Sequence, residues 1–259
     1  MKTTRAFAAA ALAAAFATAG AGTARAAVRD ASVPNNFVNV YVGFNKMSNT
    51  DIHVDATPSL YGLGGGNKAS IDFNNAQMNN TVWGGFGMGH WIKQYPFSIG
   101  FSGTMDFFPA SVKEQTFPNT SYTIDGVPQT PTTFTKYQTD IFQVVPAFNL
   151  IAGVPLGIAR VYGGIGPALF MSIYSFTMKG GSAPNSQVTA FGANVGFNAF
   201  FGGDFFITKN WSAFVEGKYS QVNNLSFTPD PSQIGGRNLT ETYKSLVTQR
   251  VAVGASYHF

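Results

Sequence analysis

The stretch FSIGFSGTMDFF, residues 97–108, alternates between apolar and small or polar side chains. One face would carry Phe97, Ile99, Phe101, Gly103, Met105 and Phe107, and the other Ser98, Gly100, Ser102, Thr104, Asp106 and Phe108. A helix would scatter both sets around its circumference, whereas a strand separates them. The stretch therefore predicts a β-strand with one face suited to lipid.

The same period of two recurs along the chain. Clear examples are residues 38–44, 189–201 and 250–259, and less regular ones are 81–91, 139–150, 160–173 and 211–221. Together these segments predict about eight strands. The length of each is close to the roughly 9–11 residues that a tilted membrane-spanning strand needs. Which face of 81–91 points toward the lumen stays open, because its tryptophans and its glycines lie on the same face of the predicted strand.

The gaps between these segments alternate in length. The short gaps lie near 92–96, 151–159 and 202–210, and the long ones near 46–80, 109–138, 174–188 and 222–243. Short turns on one side and long loops on the other are typical of a closed antiparallel transmembrane β-barrel with periplasmic turns and extracellular loops. A soluble β-sandwich or lipocalin-like barrel is the alternative, but its apolar face would point inward. Here the inward positions are mainly Gly, Ser, Asn and charged residues.

The N-terminus predicts export. Lys2 and Arg5 precede an Ala-rich apolar run too short to cross a bilayer, and Ala24-Arg25-Ala26 has the pattern of a cleavage site. We therefore expect a signal peptide over 1–26 and a barrel over 27–259. Removing Lys2, Arg5 and Arg25 from the 16 Lys+Arg leaves 13 basic against 12 acidic residues, a net charge of +1. A chain with so little excess positive charge lacks the basic surface that nucleic-acid binding requires.

The last eight residues, 252–259, resemble the C-terminal assembly signal of outer-membrane barrels. Gly254, Tyr257 and the final Phe259 match that signal, while Ala252 stands where a polar residue is usual. The mature chain is similar to the small eight-stranded OmpA-like and OmpW-like families. The resemblance implies an outer-membrane location, contact with lipid and lipopolysaccharide, and recognition by the barrel assembly machinery. Because Phe259 ends the chain, no periplasmic peptidoglycan-binding domain is expected.

Few residues suggest chemistry, and we expect neither enzymatic activity nor a cofactor. The chain has no cysteine, which excludes thiol catalysis and Cys-based metal sites. Its three histidines form no His-x-Ser pair, so the arrangement of the lipid A deacylases among similar barrels is missing. A lipid-modifying barrel enzyme is therefore disfavoured, although a site built from a distant Ser and His stays open. His53 near Asp51 and Asp55 is read as a solvated loop rather than a metal site.

Five charged residues are predicted to face the lumen. They are Asp106, Asp140, Glu216, Lys218 and Arg250, with Asp106 and Asp140 placed near the outer ends of their strands and Arg250 expected to pair with Glu216. Because an eight-stranded barrel is just wide enough to be filled by side chains, these charges should pair as a plug. The alternative is a selectivity lining in a channel for ions or small apolar solutes. The favoured function is a structural or surface-binding barrel whose loops contact surface partners.

Overall fold

The barrel is an antiparallel ring of eight strands in a computed structural model that describes residues 33–57, 68–93, 96–136, 138–178, 186–234 and 238–259. The predicted signal peptide lies outside the described residues. The ring strands are β1 (Asn36–Met47), β4 (Thr81–Lys93), β5 (Ser98–Val112), β10 (Thr139–Leu156), β11 (Ala159–Met178), β12 (Ser186–Phe206), β13 (Trp211–Phe227) and β14 (Asn238–His258). They pair in this order, and β14 pairs back with β1 to close the ring. The predicted fold class is confirmed.

The remaining strands lie in the first two extracellular connections. They are β2 (Thr50–Thr57), β3 (Ala69–Ala76), β6 (Gln115–Thr120), β7 (Tyr122–Ile124), β8 (Val127–Pro128) and β9 (Thr132–Lys136). β2 pairs with the extracellular end of β14, β3 with β2, and β7 with β3. These pairings prolong the barrel wall beyond the membrane, where loops were expected. We call β2, β3 and the start of β14 that pairs with β2, residues 238–243, the extracellular extension.

The alternation of side chains follows the predicted pattern. Along β1, Val40 and Phe44 are 63% and 76% exposed, whereas Tyr41 and Asn45 are buried. Along β14, Val251, Val253 and Tyr257 face outward, and so does Phe259 just after the strand ends. In an isolated soluble protein such a surface would be costly, but it is the apolar belt that lipid requires. The described residues include no helix long and apolar enough to span a membrane.

The open question about 81–91 is resolved by the packing inside the barrel. Trp83 and Trp91 point inward and are each 2% exposed, while Phe86 and Met88 of the same strand face lipid. The glycines share the inward face with the tryptophans because the rings of β1 lie against them. A Cβ at Gly85 would meet the Tyr41 ring, and one at Gly89 the Phe37 ring.

Two predicted loops are largely strand. β11 and β12 reach Met178 and Ser186, and β13 and β14 reach Phe227 and Asn238. The gaps expected at 174–188 and 222–243 were therefore too long. Strands of 20 and 21 residues exceed what a bilayer requires, so their outer ends stand above the membrane. Polar residues of these gaps, among them Asn223, Asn224 and Thr242, occupy solvated strand there.

Candidate functional site

Four charged side chains meet in the middle of the lumen. Lys218 Nζ of β13 donates to Asp106 Oδ1 of β5 at 3.0 Å and to its Oδ2 at 3.2 Å. Arg250 Nη1 of β14 donates to Asp106 Oδ2 at 2.8 Å, and Lys218 Nζ lies 3.7 Å from Glu216 Oε1. All four residues are buried. We call Asp106, Glu216, Lys218 and Arg250 the charge layer.

Hydrogen bonds and aromatic rings complete the surroundings of these charges. The Tyr41 hydroxyl donates to Asp106 Oδ1 at 2.6 Å, and the Tyr162 hydroxyl to Glu216 Oε2 at 3.2 Å. The Arg250 guanidinium also contacts the Ser220 hydroxyl and lies 4.6 Å from the centre of the Trp83 ring. Two acids and two bases balance in charge. This is the condition under which buried ions are tolerated in a low-dielectric interior.

Asp140 does not belong to the charge layer. It lies at the extracellular end of β10 on the exposed face, where Gln138 Nε2 donates to its carboxylate at 3.1 Å. Thr139 and Ile141, on either side of it, point inward. The expectation that Asp140 faces the lumen was wrong, because the predicted orientation of this strand was shifted by one residue. An alternating pattern shows which side chains share a face, but it shows which face points inward only where the register is known.

The pairing of Arg250 also differs from the prediction. Its nearest carboxylate is Asp106 rather than Glu216. The register of β13 and β14 sets Arg250 directly opposite Lys218 and sets Glu216 opposite Ala252. Asp106 was expected near a strand end but pairs with Val145 in the middle of the wall. It reaches the two cations from across the barrel, a contact that counting along neighbouring strands cannot reveal.

A second set of polar residues lies nearer the periplasm and was not predicted. Arg160 of β11 is 1% exposed, and its guanidinium lies 4.4 Å from the centre of the Trp91 ring. Asp204 of β12 is opposite Arg160 in the register and is also buried. The sequence pattern could have predicted that Arg160 faces the lumen, because Arg160 lies on the same face of its strand as Tyr162, which was placed inward. Between the two sets of charges remains a cavity of about 30 Å³.

The structure brings one serine and one histidine within hydrogen-bonding distance, which is the first requirement of a hydrolytic site. Ser212 Oγ and His258 Nε2 are 3.1 Å apart at the periplasmic end of the lumen. Among the described residues, His258 Nδ1 has no hydrogen-bond partner, so the acid that orients a catalytic histidine is missing. Ser212 and His258 are each 1% exposed, which leaves a substrate no approach. This pair is better explained as a satisfied hydrogen bond in the wall.

The extracellular half of the lumen is mainly apolar, contrary to the expectation of a polar interior. We call its buried side chains the mouth cluster; they include Ile52, Ile71 and Phe73 of the extension, Phe134 of β9, Phe170 and Tyr174 of β11, Phe227 of β13 and Tyr243 of β14. Phe73 packs against Phe117 and Phe134 with ring centres 5.0 and 6.3 Å apart. The carboxylate of Glu241 lies within the mouth cluster, where it accepts hydrogen bonds from the Tyr174 and Tyr243 hydroxyls.

The outward face of the extension carries His53, where a solvated loop was expected. His53 lies between two carboxylates, with Nδ1 3.0 Å from Asp72 and Nε2 3.5 Å from Asp55. Lys68 and Lys244 pair with the same acids. Among the described residues no cluster of three or more His, Cys, Asp or Glu could hold a metal ion. With two ammonium groups on its carboxylates, this face is a surface ion-pair network.

Comparison with known proteins finds matches only at the level of structure. No protein family and no curated protein matches the sequence. The outer membrane protein OprG from Pseudomonas aeruginosa is similar with a TM-score of 0.48 and 14% identity, over 87% of this chain and 96% of that one. The outer membrane protease OmpT from Escherichia coli gives 0.42 and 12%, over 87% and 97%. Neisserial surface protein A gives 0.36 and 11%, over 85% and 97%.

These similarities lie in the barrel fold, and their low scores and identities give no basis for transferring an activity. Membership of the OmpA-like or OmpW-like families stays a prediction from the C-terminal residues.

Proposed function

We propose that this protein is a closed outer-membrane barrel that does not conduct and that acts at the cell surface through its extracellular extension. The observation that carries the proposal is the bridge of Asp106 to both Lys218 and Arg250. These residues come from β5, β13 and β14, so the bridge crosses the lumen rather than following its wall. A selectivity lining would instead leave charges facing water along a continuous path.

The mouth cluster supports closure at a second level. Phe73, Phe170 and Phe227 have no exposed surface, so the apolar interior above the charge layer is packed. A small apolar solute would have to displace these rings and then pass four charged groups. The alternative of a channel for ions or small apolar solutes is therefore disfavoured at both levels.

A surface role is supported by the solvated strands above the membrane. The extension presents His53, Asp55 and Asp72 outward, and it is tied to the barrel by main-chain pairing of β2 with β14. A rigid β-surface keeps its side chains in place, which favours recognition over a flexible loop. Surface proteins or lipopolysaccharide are the partners that such a position would meet.

The deciding experiment is conductance of the refolded, full mature chain in planar bilayers, with a general porin as the positive control. The wild type should give no current steps, and its conductance should equal that of the membrane without protein. A liposome uptake assay with a small apolar solute should likewise show no increase. Steady single-channel steps, or solute uptake proportional to the amount of protein, would replace this proposal with the channel.

The surface role needs its own measurement. A photo-crosslinking residue in place of His53 should give adducts with cell-surface components in living cells, because that side chain is outward and 35% exposed. The same residue in place of Lys209, in the turn between β12 and β13, serves as the periplasmic control. Equal adducts at both positions, or none at His53, would contradict a surface role.

A further inference from the structure

A shallow groove of about 910 Å³ crosses the outer wall of the barrel over β12, β13, β14, β1 and β4. Its floor is one row of directly paired residues, running through Phe200, Lys218, Arg250, Asn45 and Thr81. The side chains of this row point into the lumen, so the floor consists mainly of backbone. The groove therefore lies on the lipid side of the charge layer and is separate from the lumen.

The periplasmic edge of the groove is apolar and has one gap. Phe44, Val82, Phe201 and Val251 project outward along it, and Phe201 is 67% exposed. Gly217 stands among them without a side chain. A Cβ at Gly217 would meet nothing closer than the Phe201 carbonyl oxygen at 3.8 Å, so space rather than backbone geometry distinguishes this position. The gap continues the groove toward the membrane core.

The extracellular edge of the groove is polar. It carries Lys46, Tyr219 and Gln249, each two residues along its strand from the apolar edge and on the other side of the floor row. Lys46 is exposed and forms no ion pair with any residue that the structure describes. An uncompensated ammonium at the upper limit of an apolar belt matches the level of anionic lipid headgroups in the outer leaflet.

We propose that this groove is a binding site for lipopolysaccharide, with an acyl chain along the apolar edge and through the gap at Gly217, and a lipid A phosphate at Lys46. The apolar edge selects a hydrocarbon chain, and the single cation beside it selects an anionic headgroup at that depth. Tyr219 and Gln249 offer hydrogen bonds to the headgroup sugar or amide groups. The site lies on the outer wall, so it stands or falls independently of whether the lumen conducts.

Native mass spectrometry of the refolded full mature chain in detergent tests the site, with purified diphosphoryl lipid A as the probe. The wild type should retain one lipid A. Gly217→Phe fills the gap, and Lys46→Gln removes the cation. Lys46→Gln should weaken retention roughly tenfold, since a hydrogen bond to a charged group contributes at least that factor. Gly217→Phe should also weaken retention, because its ring occupies the path of the acyl chain.

Matched controls separate the groove from the rest of the wall. Gly103 also faces lipid with nothing near its added Cβ, but it lies on β5 outside the groove, so Gly103→Phe should bind as the wild type does. Lys113→Gln removes an exposed lysine elsewhere. If Gly217→Phe fails to fold, the Lys46→Gln and Lys113→Gln pair decides. Equal retention by all variants, or equal retention of dephosphorylated lipid A or phosphatidylglycerol by the wild type, would overturn the proposal.

Discussion

Arg250 Nη1 lies 2.8 Å from Asp106 Oδ2, although 144 residues separate the two in the chain. Asp106 accepts from Lys218 as well, so a single carboxylate holds two cations that stand opposite each other on neighbouring strands. Without Asp106, these two cations would face one another in a confined space with Glu216 as their only carboxylate in the charge layer. The barrel interior is therefore organised around one acid on the far wall.

Arg250→Ala should destabilise the barrel, because it leaves two carboxylates sharing Lys218. Breaking a buried pair in this way costs about 3–5 kcal/mol, and any water that enters lowers the cost. Urea unfolding of the chain in lipid vesicles, followed by tryptophan fluorescence, measures the loss.

The partner of Arg250 can be identified by double-mutant cycles. Adding Asp106→Asn to Arg250→Ala restores charge balance and removes the carboxylate charge that Arg250 contacts, so the coupling energy should be large. Adding Glu216→Gln should also recover part of the loss, but with weaker coupling because the Arg250 contact is with Asp106. Stronger coupling to Glu216 would mean that the cross-barrel contact is wrong.

Phe73→Ala should loosen the extension without opening the lumen. The Phe73 side chain is fully buried between Phe117 and Phe134, and removing such a ring costs about 3–5 kcal/mol. Limited proteolysis should then cut β2 or β3 while the barrel stays protected. Conductance should stay at the protein-free level, because the charge layer is untouched. His53→Ala, on the outward face of the same hairpin, is the control and should leave the cleavage pattern unchanged.

The extension should lose protection in acid. Partial burial raises the pKa of both Asp55 and Asp72. For Asp55, the hydrogen bond from Ser70 and the charges of His53 and Lys68 outweigh that effect and hold its pKa below the usual value. Hydrogen bonds from His53 and Lys244 do the same for Asp72. A lowered carboxyl pKa stabilises the fold above the unfolded value of 3.8 and loses that contribution as the pH falls through the folded value.

Hydrogen exchange, corrected for intrinsic rates, checks this pH dependence. Protection of the β2 and β3 amides should fall as the pH is lowered from roughly 5 to roughly 3, and the barrel strands should change less. The Asp55→Asn, Asp72→Asn double variant should begin less protected and show little further loss. An equal acid response in that variant would remove these carboxylates as the cause.

Deleting Phe259 should impair assembly. Its backbone N–H donates to the Asn36 carbonyl at 3.0 Å, which helps to close β14 onto β1 at the periplasmic end. Its ring faces lipid beside Tyr257, where the resemblance to the terminal assembly signal predicts recognition by the assembly machinery. The deletion variant should accumulate in the periplasm and lack the heat-dependent gel shift of a folded barrel. Phe201→Ala, another outward-facing phenylalanine, should assemble normally.

For most strands of the barrel wall, the sequence predicted which side chains face lipid and which face the lumen, because the alternation along a strand is a local property. Val251 and Phe259 on one side, and Arg250 and His258 on the other, need no knowledge of the rest of the chain. Where the local pattern was ambiguous the prediction stopped, as at Trp83, or was wrong, as at Asp140. At these positions the packing of Tyr41 over Gly85 and the register at the outer end of β10 decide the orientation.

A closed barrel with an apolar outside follows from the amino-acid sequence alone, because alternation and turn length are local properties and lipid leaves no backbone group unpaired. The identity of the side chains that fill the barrel depends on contacts between distant strands. Asp106 meets Lys218 and Arg250 across the lumen, and Phe73 of the extension joins Phe134 of the second connection above them. These contacts depend on strand register and on the curvature of the closed wall, which set distances between residues that no local period connects.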